Sequence, residues 1–336
     1  MEELRIHNIQ EIKKEKPKSK KKTILGVFLV LVLIVLGFWI FQNIASGSIS
    51  KTFNSNEFIQ FAVADKSYAY SYYDQGNWYV NIKGKILGPY DSSIIYLAIS
   101  NSNYGFSYFK EGKAYVNIKG KILGPYSDIM SLSVSDKGYV FSYFDQGKRY
   151  VQTKDKTYGP YENVSALAIS NKAFGFVYSQ SENAWYVNIS GEEFGPYTDP
   201  IFYLSVTDTN YGFSYFKNGK MEIKAKDKTY GPYDDVGRIS VSNKSFGFSY
   251  FNRNSNQWIV NINNKDVGFF DEVSELIVSD NNYGFICQKQ GLWNVQIKDK
   301  EYGPYDLANR LFIFDNNVGF AYQKNGEFYF SLNPKE

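Results

Sequence analysis

The chain has 336 residues, 18% of them aromatic, with 30 Tyr and 27 Phe; this is apolar bulk enough for a sizeable core and unlike the composition of a disordered chain. A single Cys (Cys287) and a single His (His7) exclude a disulfide framework, a Cys/His metal site and catalysis of the Ser-His-Asp or Cys-His kind, each of which needs partners the chain lacks. The formal charge of +3 is uneven: residues 1–22 carry eight Lys/Arg against four Glu, residues 23–50 carry none, and the rest is close to neutral.

Residues 1–22 read as a basic cytoplasmic tail. Residues 23–44 follow as a transmembrane helix, because ILGVFLVLVLIVLGFWIF from Ile24 to Phe41 is long enough, with its flanks, to cross a hydrocarbon layer about 30 Å thick. Lys18, Lys20, Lys21 and Lys22 abut its start, so the positive-inside rule places the N-terminus in the cytoplasm. Everything beyond the linker 45–50 is then extracytoplasmic, in a single-pass protein of the plasma (inner) membrane. A cleaved signal peptide is the rival reading, but its apolar region is usually shorter, about 7–15 residues.

Residues 51–333 are a repeat domain. GPY, once GFF, begins at Gly88, Gly124, Gly159, Gly195, Gly231, Gly268 and Gly303, at spacings of 35 to 37 residues. Each unit holds four short alternating runs bounded by turn residues, the pattern of strands. In the second unit these are residues 94–100, 103–109, 114–119 and 121–126, labelled A, B, C and D. Strand B carries Gly between two aromatics (Tyr104-Gly105-Phe106, Phe174-Gly175-Phe176), which predicts close approach of a neighbouring sheet. Strand C often begins with Trp (Trp78, Trp185, Trp258, Trp293), a residue suited to a site between sheets. Gly76, Gly112 and Gly147 between B and C, and Gly84, Gly120, Gly191, Asp155, Asp227, Asn264 and Asp299 between C and D, fit tight hairpins that need positive φ.

Eight A-B-C sets occur but only seven D strands follow their own C. Lys51-Thr52-Phe53 resembles the missing strand, so the chain is expected to be all-β: an eight-bladed β-propeller of four-stranded antiparallel blades, closed by its N-terminal strand. An open solenoid is the alternative, since a repeat does not state its curvature.

Tyr-Gly-Phe and the GPYD ending, as at Gly88 to Asp91, resemble bacterial propeller repeats of the WG or WD40-like type, over residues 51 to 332. The Trp-Gly and Trp-Asp pairs of those repeats are absent, so the likeness is one of architecture. It implies an interaction platform and carries no catalytic residues.

In a meander blade the D–A and B–C loops share one face. The D–A loops hold Asp91, Asp128, Glu162, Asp199, Asp234, Asp235, Asp271, Glu272 and Asp306, which makes this face acidic and a candidate for binding. The opposite face holds Lys83, Lys85, Lys119, Lys121, Lys154, Lys156, Lys226, Lys228, Lys298 and Lys300. A six-residue linker reaches about 20 Å, so the lysine face is expected to lie toward the bilayer.

No imidazole is available to the domain, and acids that recur in every blade read as structural, so no enzyme is expected; a carboxylate glycosidase is the minor alternative. Asp or Asn after strand A (Asp65, Asn101, Asp136, Asn171, Asp208, Asn243, Asp280, Asp315) reads as an Asx turn rather than a calcium ligand, and no metal or cofactor is expected. Cys287 reads as a small buried residue. Near-neutral charge argues against nucleic acid. A protein partner on the outward face is the leading function, and glycan binding by exposed aromatics the second. Departures from the repeat mark candidate sites: Glu182, Pro200 and Glu192-Glu193 in blade 4, Arg253 and the GFF variant in blade 6.

Overall fold

A computed structural model of the chain describes residues 58–313 and 318–332. The tail, the apolar run, the linker, Lys51-Thr52-Phe53 and Asp315 lie outside the described residues. Among the described residues no helix is long and apolar enough to cross a membrane.

Among the described residues all regular structure is β, in seven antiparallel sheets of strand order A-B-C-D and one of order A-B-C. Blade 1 is Phe58–Ala64, Ser67–Asp74, Asn77–Ile82 and Lys85–Tyr90. Blades 2 to 7 occupy 94–126, 128–161, 163–197, 204–233, 235–270 and 272–305, and blade 8, at 307–332, has three described strands. Each strand A packs on strand A of the next blade, in series from blade 1 to blade 8. Seven apolar clusters lie at the seven junctions between consecutive sheets. The core is thus a set of joints between blades, as in a propeller.

Most hairpin turns take the expected geometry, but the Asp155 turn does not, since neither Lys154 nor Asp155 has positive φ. Gln75 and Gly76 have φ of 47° and 89°, Lys83 and Gly84 52° and 88°, the paired positive values that match the twist of flanking strands. At the turns of Asp227 and Asp299 the positive φ falls on the preceding Lys226 and Lys298. Strand B glycine answers to the neighbouring blade: a Cβ on Gly175 would stand 2.9 Å from Val206 of blade 5 and 2.9 Å from Ile189. Trp185, Trp258 and Trp293 pack at junctions, as their place at the head of strand C predicts.

The GPY tripeptide makes the joint. Gly88 has φ of 131°, and a Cβ there would lie 2.9 Å from the Trp78 carbonyl oxygen, so only glycine fits. The tyrosine that follows sends its side chain out of its own sheet to pack, tilted, on a strand-B tyrosine of the next blade. Ring centroids are 4.7 Å apart for Tyr90 and Tyr108, 4.2 Å for Tyr126 and Tyr143, 4.1 Å for Tyr161 and Tyr178, 4.5 Å for Tyr197 and Tyr215, 4.3 Å for Tyr233 and Tyr250, and 4.1 Å for Tyr305 and Tyr322. At the junction of blades 6 and 7 the pair is replaced: Phe270 meets Phe285 edge-on at 5.1 Å, and Cys287 fills the place of the second tyrosine. Cys287 is fully buried, which pushes its thiol up to about 12, so it is the inert core residue expected.

One strand is short and one expectation changes. Strand A of blade 5 is reduced to Leu204–Val206, with 198–203, which contains Pro200, out of the ladder; proline has no N–H to give. The Asp or Asn after strand A acts between blades rather than within its own turn. Asn101 Oδ1 accepts from Lys66 N at 2.7 Å, Asp136 Oδ1 from Ser102 N at 2.8 Å, Asp208 Oδ1 from Lys172 N at 3.0 Å and Asp280 Oδ1 from Lys244 N at 3.1 Å. Each takes up an amide that the preceding blade's turn leaves without a ladder partner. Among the described residues no cluster of metal-ligating side chains occurs.

Candidate interaction surface

Most of the acids on the D–A face are already engaged. Asp128 and Asp235 accept from the next amide, Ile129 N and Val236 N, each at 2.8 Å. Glu162 pairs with Lys148 and its carbonyl accepts from Arg149. Asp234 accepts from Lys220 Nζ at 2.6 Å and from Arg253 N at 3.0 Å, and these two contacts, Lys220 first, hold its carboxyl below the ordinary range. Asp199 accepts from Thr198 and Asp306 from Gly326 N. Asp91, Asp271 and Glu272 are exposed, with no side-chain partner among the described residues. The acidic face is therefore largely a set of loop anchors, with free charge at few points.

Glu193, a departure in blade 4, is explained by the tyrosine joints. Tyr178 donates its hydroxyl to Glu193, as Tyr215 does to Glu222 at 2.6 Å and Tyr250 to Asp266 at 3.1 Å. Glu182 is exposed and accepts Trp185 Nε1 at its carbonyl at 3.0 Å. The ten lysines of the opposite face are all exposed. Ile86 (54% exposed) and Ile122 (57%) stand next to Lys85 and Lys121.

A further set of departures lies on the inner strands. The residue preceding the large apolar residue of strand A (Phe61 in blade 1, Leu or Ile in the others) is Gln60, Tyr96, Ser131 or Ala166 in blades 1 to 4, Tyr203 in blade 5, and then Arg238, Glu275 and Arg310. Strand A bulges here. A buried serine of strand B takes the freed amide: Gln60 N donates to Ser71 Oγ at 3.1 Å, Tyr96 N to Ser107 Oγ at 3.1 Å, Arg238 N to Ser249 Oγ at 2.9 Å. Blade 8 has Ala321 at that place and no hydroxyl to offer. Glu275 of blade 7 serves instead, accepting from Arg310 N at 3.2 Å and Leu311 N at 2.7 Å. Arg310, at φ 58°, is held in the left-handed region by this contact.

Glu275→Ala is thus expected to cost about 1.5–3 kcal/mol, the worth of hydrogen bonds to a charged acceptor, seen as a lower urea midpoint. Adding Ala321→Ser supplies the device seen in blades 1, 2 and 6 and should recover much of the loss. A double variant no more stable than the single one overturns this role for Glu275.

Blade 5 shows the converse. With 198–203 out of the ladder, the buried Ser214 hydroxyl, at the same strand-B place, has no hydrogen-bond partner. Ile201 is fully buried, its carbonyl accepting from Ser165 of blade 4 at 3.2 Å, while Phe202 beside it is 64% exposed. Arg238 lies over the Tyr203 ring at 5.9 Å and donates from Nε to the Ser274 carbonyl at 2.7 Å. Phe202, Tyr203 and Arg238 form one surface at the point where the repeat is most disturbed. Arg, Glu and Arg heading three successive A strands was the visible signal of this set; Phe202 carried none, since its exposure follows from the lost strand.

No protein-family model and no curated sequence matches the chain. Solved structures with a similar course include an uncharacterized protein from Listeria monocytogenes, at 12% identity and TM-score 0.49, over 84% of this chain and 97% of that one. The β-propeller domain of the Trilobed protease from Pyrococcus furiosus matches at 11% identity and TM-score 0.45, over 76% and 98%. The WD40 ectodomain of the Arabidopsis thaliana receptor kinase ACR4 matches at 11% and 0.41, over 70% and 95%. The likeness is one of fold alone. The blades of this chain resemble propeller blades.

Proposed function

We propose that the chain is a single-pass membrane protein whose extracytoplasmic propeller binds another envelope or surface protein, with no catalysis and no cofactor. The observation that carries this is the Phe202–Tyr203–Arg238 surface: an exposed aromatic beside a stacked arginine, residue types that anchor protein interfaces. The GPY tyrosines and most of the loop acids of the repeat are engaged in joints and turns, which favours the residues that break the repeat as the binding surface. Trp185, Trp258 and Trp293 and the GPY tyrosines are packed at those joints and not presented as a sugar platform, which favours a protein ligand.

In this reading Lys51-Thr52-Phe53 supplies the fourth strand of blade 8 and closes the ring. The lysine face then turns to the bilayer, with Ile86 and Ile122 beside its lysines, and the loops of blade 5 turn outward. Crosslinking of intact membranes tests both parts. The chain is expected in the pellet after a carbonate wash, joined to a partner in the wild type and not in Phe202→Asp. Release into the supernatant overturns the anchor, and equal crosslinking of the variant overturns the surface.

A further inference from the structure

Every outer strand of a propeller is a sheet edge, and an unguarded edge invites another strand. Six outer strands here are guarded alike. Each carries Gly-Pro, with Pro89, Pro125, Pro160, Pro196, Pro232 and Pro304, and proline removes an N–H from the edge and interrupts the ladder. In blade 1, Trp78 pairs with Tyr90 and Val80 with Leu87, and the register lapses at Gly88-Pro89 between them.

Blade 6 lacks the guard. Its outer strand Lys265–Phe270 reads KDVGFF. Phe269, standing where the prolines stand, is in register with Ile259, directly after the Trp258–Phe270 pair. The register shift here falls at Val267-Gly268 instead, so Phe269 is paired and, unlike proline, keeps its N–H. Phe270 turns inward and is 3% exposed, whereas Phe269 is 58% exposed. On this edge there is no paired strand among the described residues.

Charge indicates the occupant. Residues 265–272 hold Asp266, Asp271 and Glu272 against Lys265. Asp266 is partly engaged by Tyr250 and by Asn261 Nδ2 at 2.7 Å, while Asp271 and Glu272 are exposed and without side-chain partners among the described residues.

We propose that the outer strand Lys265–Phe270 of blade 6 accepts an extended, basic segment of a partner polypeptide as a fifth strand, with Phe269 as its apolar contact. Main-chain hydrogen bonds supply affinity, and Phe269 with Asp271 and Glu272 selects alternate apolar and basic side chains. This surface is separate from that at Phe202.

The test uses the full chain in detergent micelles and a fluorescein-labelled peptide that alternates lysine with valine, read by anisotropy. Binding is expected to weaken with salt and to be at least about tenfold weaker in Phe269→Pro, which restores the guard of the other six blades. Glu272→Lys, which leaves the strand intact, should weaken it also, and the amides of 265–270 should exchange more slowly when the peptide is bound. Absence of binding to the wild type, equal binding to Phe269→Pro and Glu272→Lys, or equal binding of a glutamate–valine peptide each overturns the proposal. Loss of the blade 5 surface by Phe202→Asp should leave this peptide's affinity unchanged, which separates the two sites.

Discussion

Replacing Tyr161 by alanine is expected to lower the thermal midpoint by roughly 5–12 °C. The ring sits 4.1 Å from Tyr178 and 6.0 Å from Phe176, both of the following blade, so truncation removes the joint between blades 3 and 4 rather than a contact within one sheet. Loss of a packed aromatic costs about 3–5 kcal/mol when fully buried, and Tyr161 is half-buried, so about 2–4 kcal/mol is expected, at about 2–4 °C per kcal/mol for a domain of this size. Tyr161→Phe keeps the ring and should change the midpoint by about 1 °C or less. Because each blade touches only its neighbours, the variant should also broaden the transition as the joint between blades 3 and 4 loosens. Circular dichroism melts of the two variants decide it, and equal midpoints dispose of the claim that the tyrosine is the joint.

The second large effect is alkaline. Burial pushes the hydroxyls of Tyr90, Tyr126, Tyr161, Tyr197, Tyr233 and Tyr305 up to about 12, against about 10 in an unfolded chain. The folded state therefore prefers the neutral ring. The stability this contributes is fully present below about pH 10 and is lost as pH rises from about 10 towards 12, since only the unfolded chain ionises over that interval. After halving for their part exposure, the six together should cost of the order of 4 kcal/mol by about pH 11, several degrees of midpoint. Melting curves across this range, followed by tyrosinate absorbance, give the check. A midpoint flat from about pH 9 to 11.5, or tyrosines that titrate as one free class in the folded protein, contradicts the burial argument.

The period, the four strands per unit, the turns and the strand-B glycine were legible in the amino-acid order because each is local: a strand alternates, a tight hairpin needs positive φ, and a glycine between aromatics marks a close neighbour. The burial of Cys287 was legible for the same reason, from its place in strand B. The use of the GPY tyrosine was not, because nothing in a strand's own sequence says that a side chain leaves its sheet for the next one. The Asp and Asn residues after strand A likewise look like turn formers until the preceding blade's amide is seen 2.7–3.1 Å away.

Local order in the chain thus determined the repeat, the β class and which residues depart from the pattern. Tertiary structure alone decided what the departures do: Glu275 stands in for a serine that blade 8 lacks, Phe202 is exposed where residues 198–203 leave the ladder, and Phe269 lies on an edge that proline guards elsewhere. The physical reason is that a strand's conformation is set by near neighbours, whereas hydrogen-bond satisfaction and exposure are set by residues about 36 positions away, which meet only when one blade packs on the next.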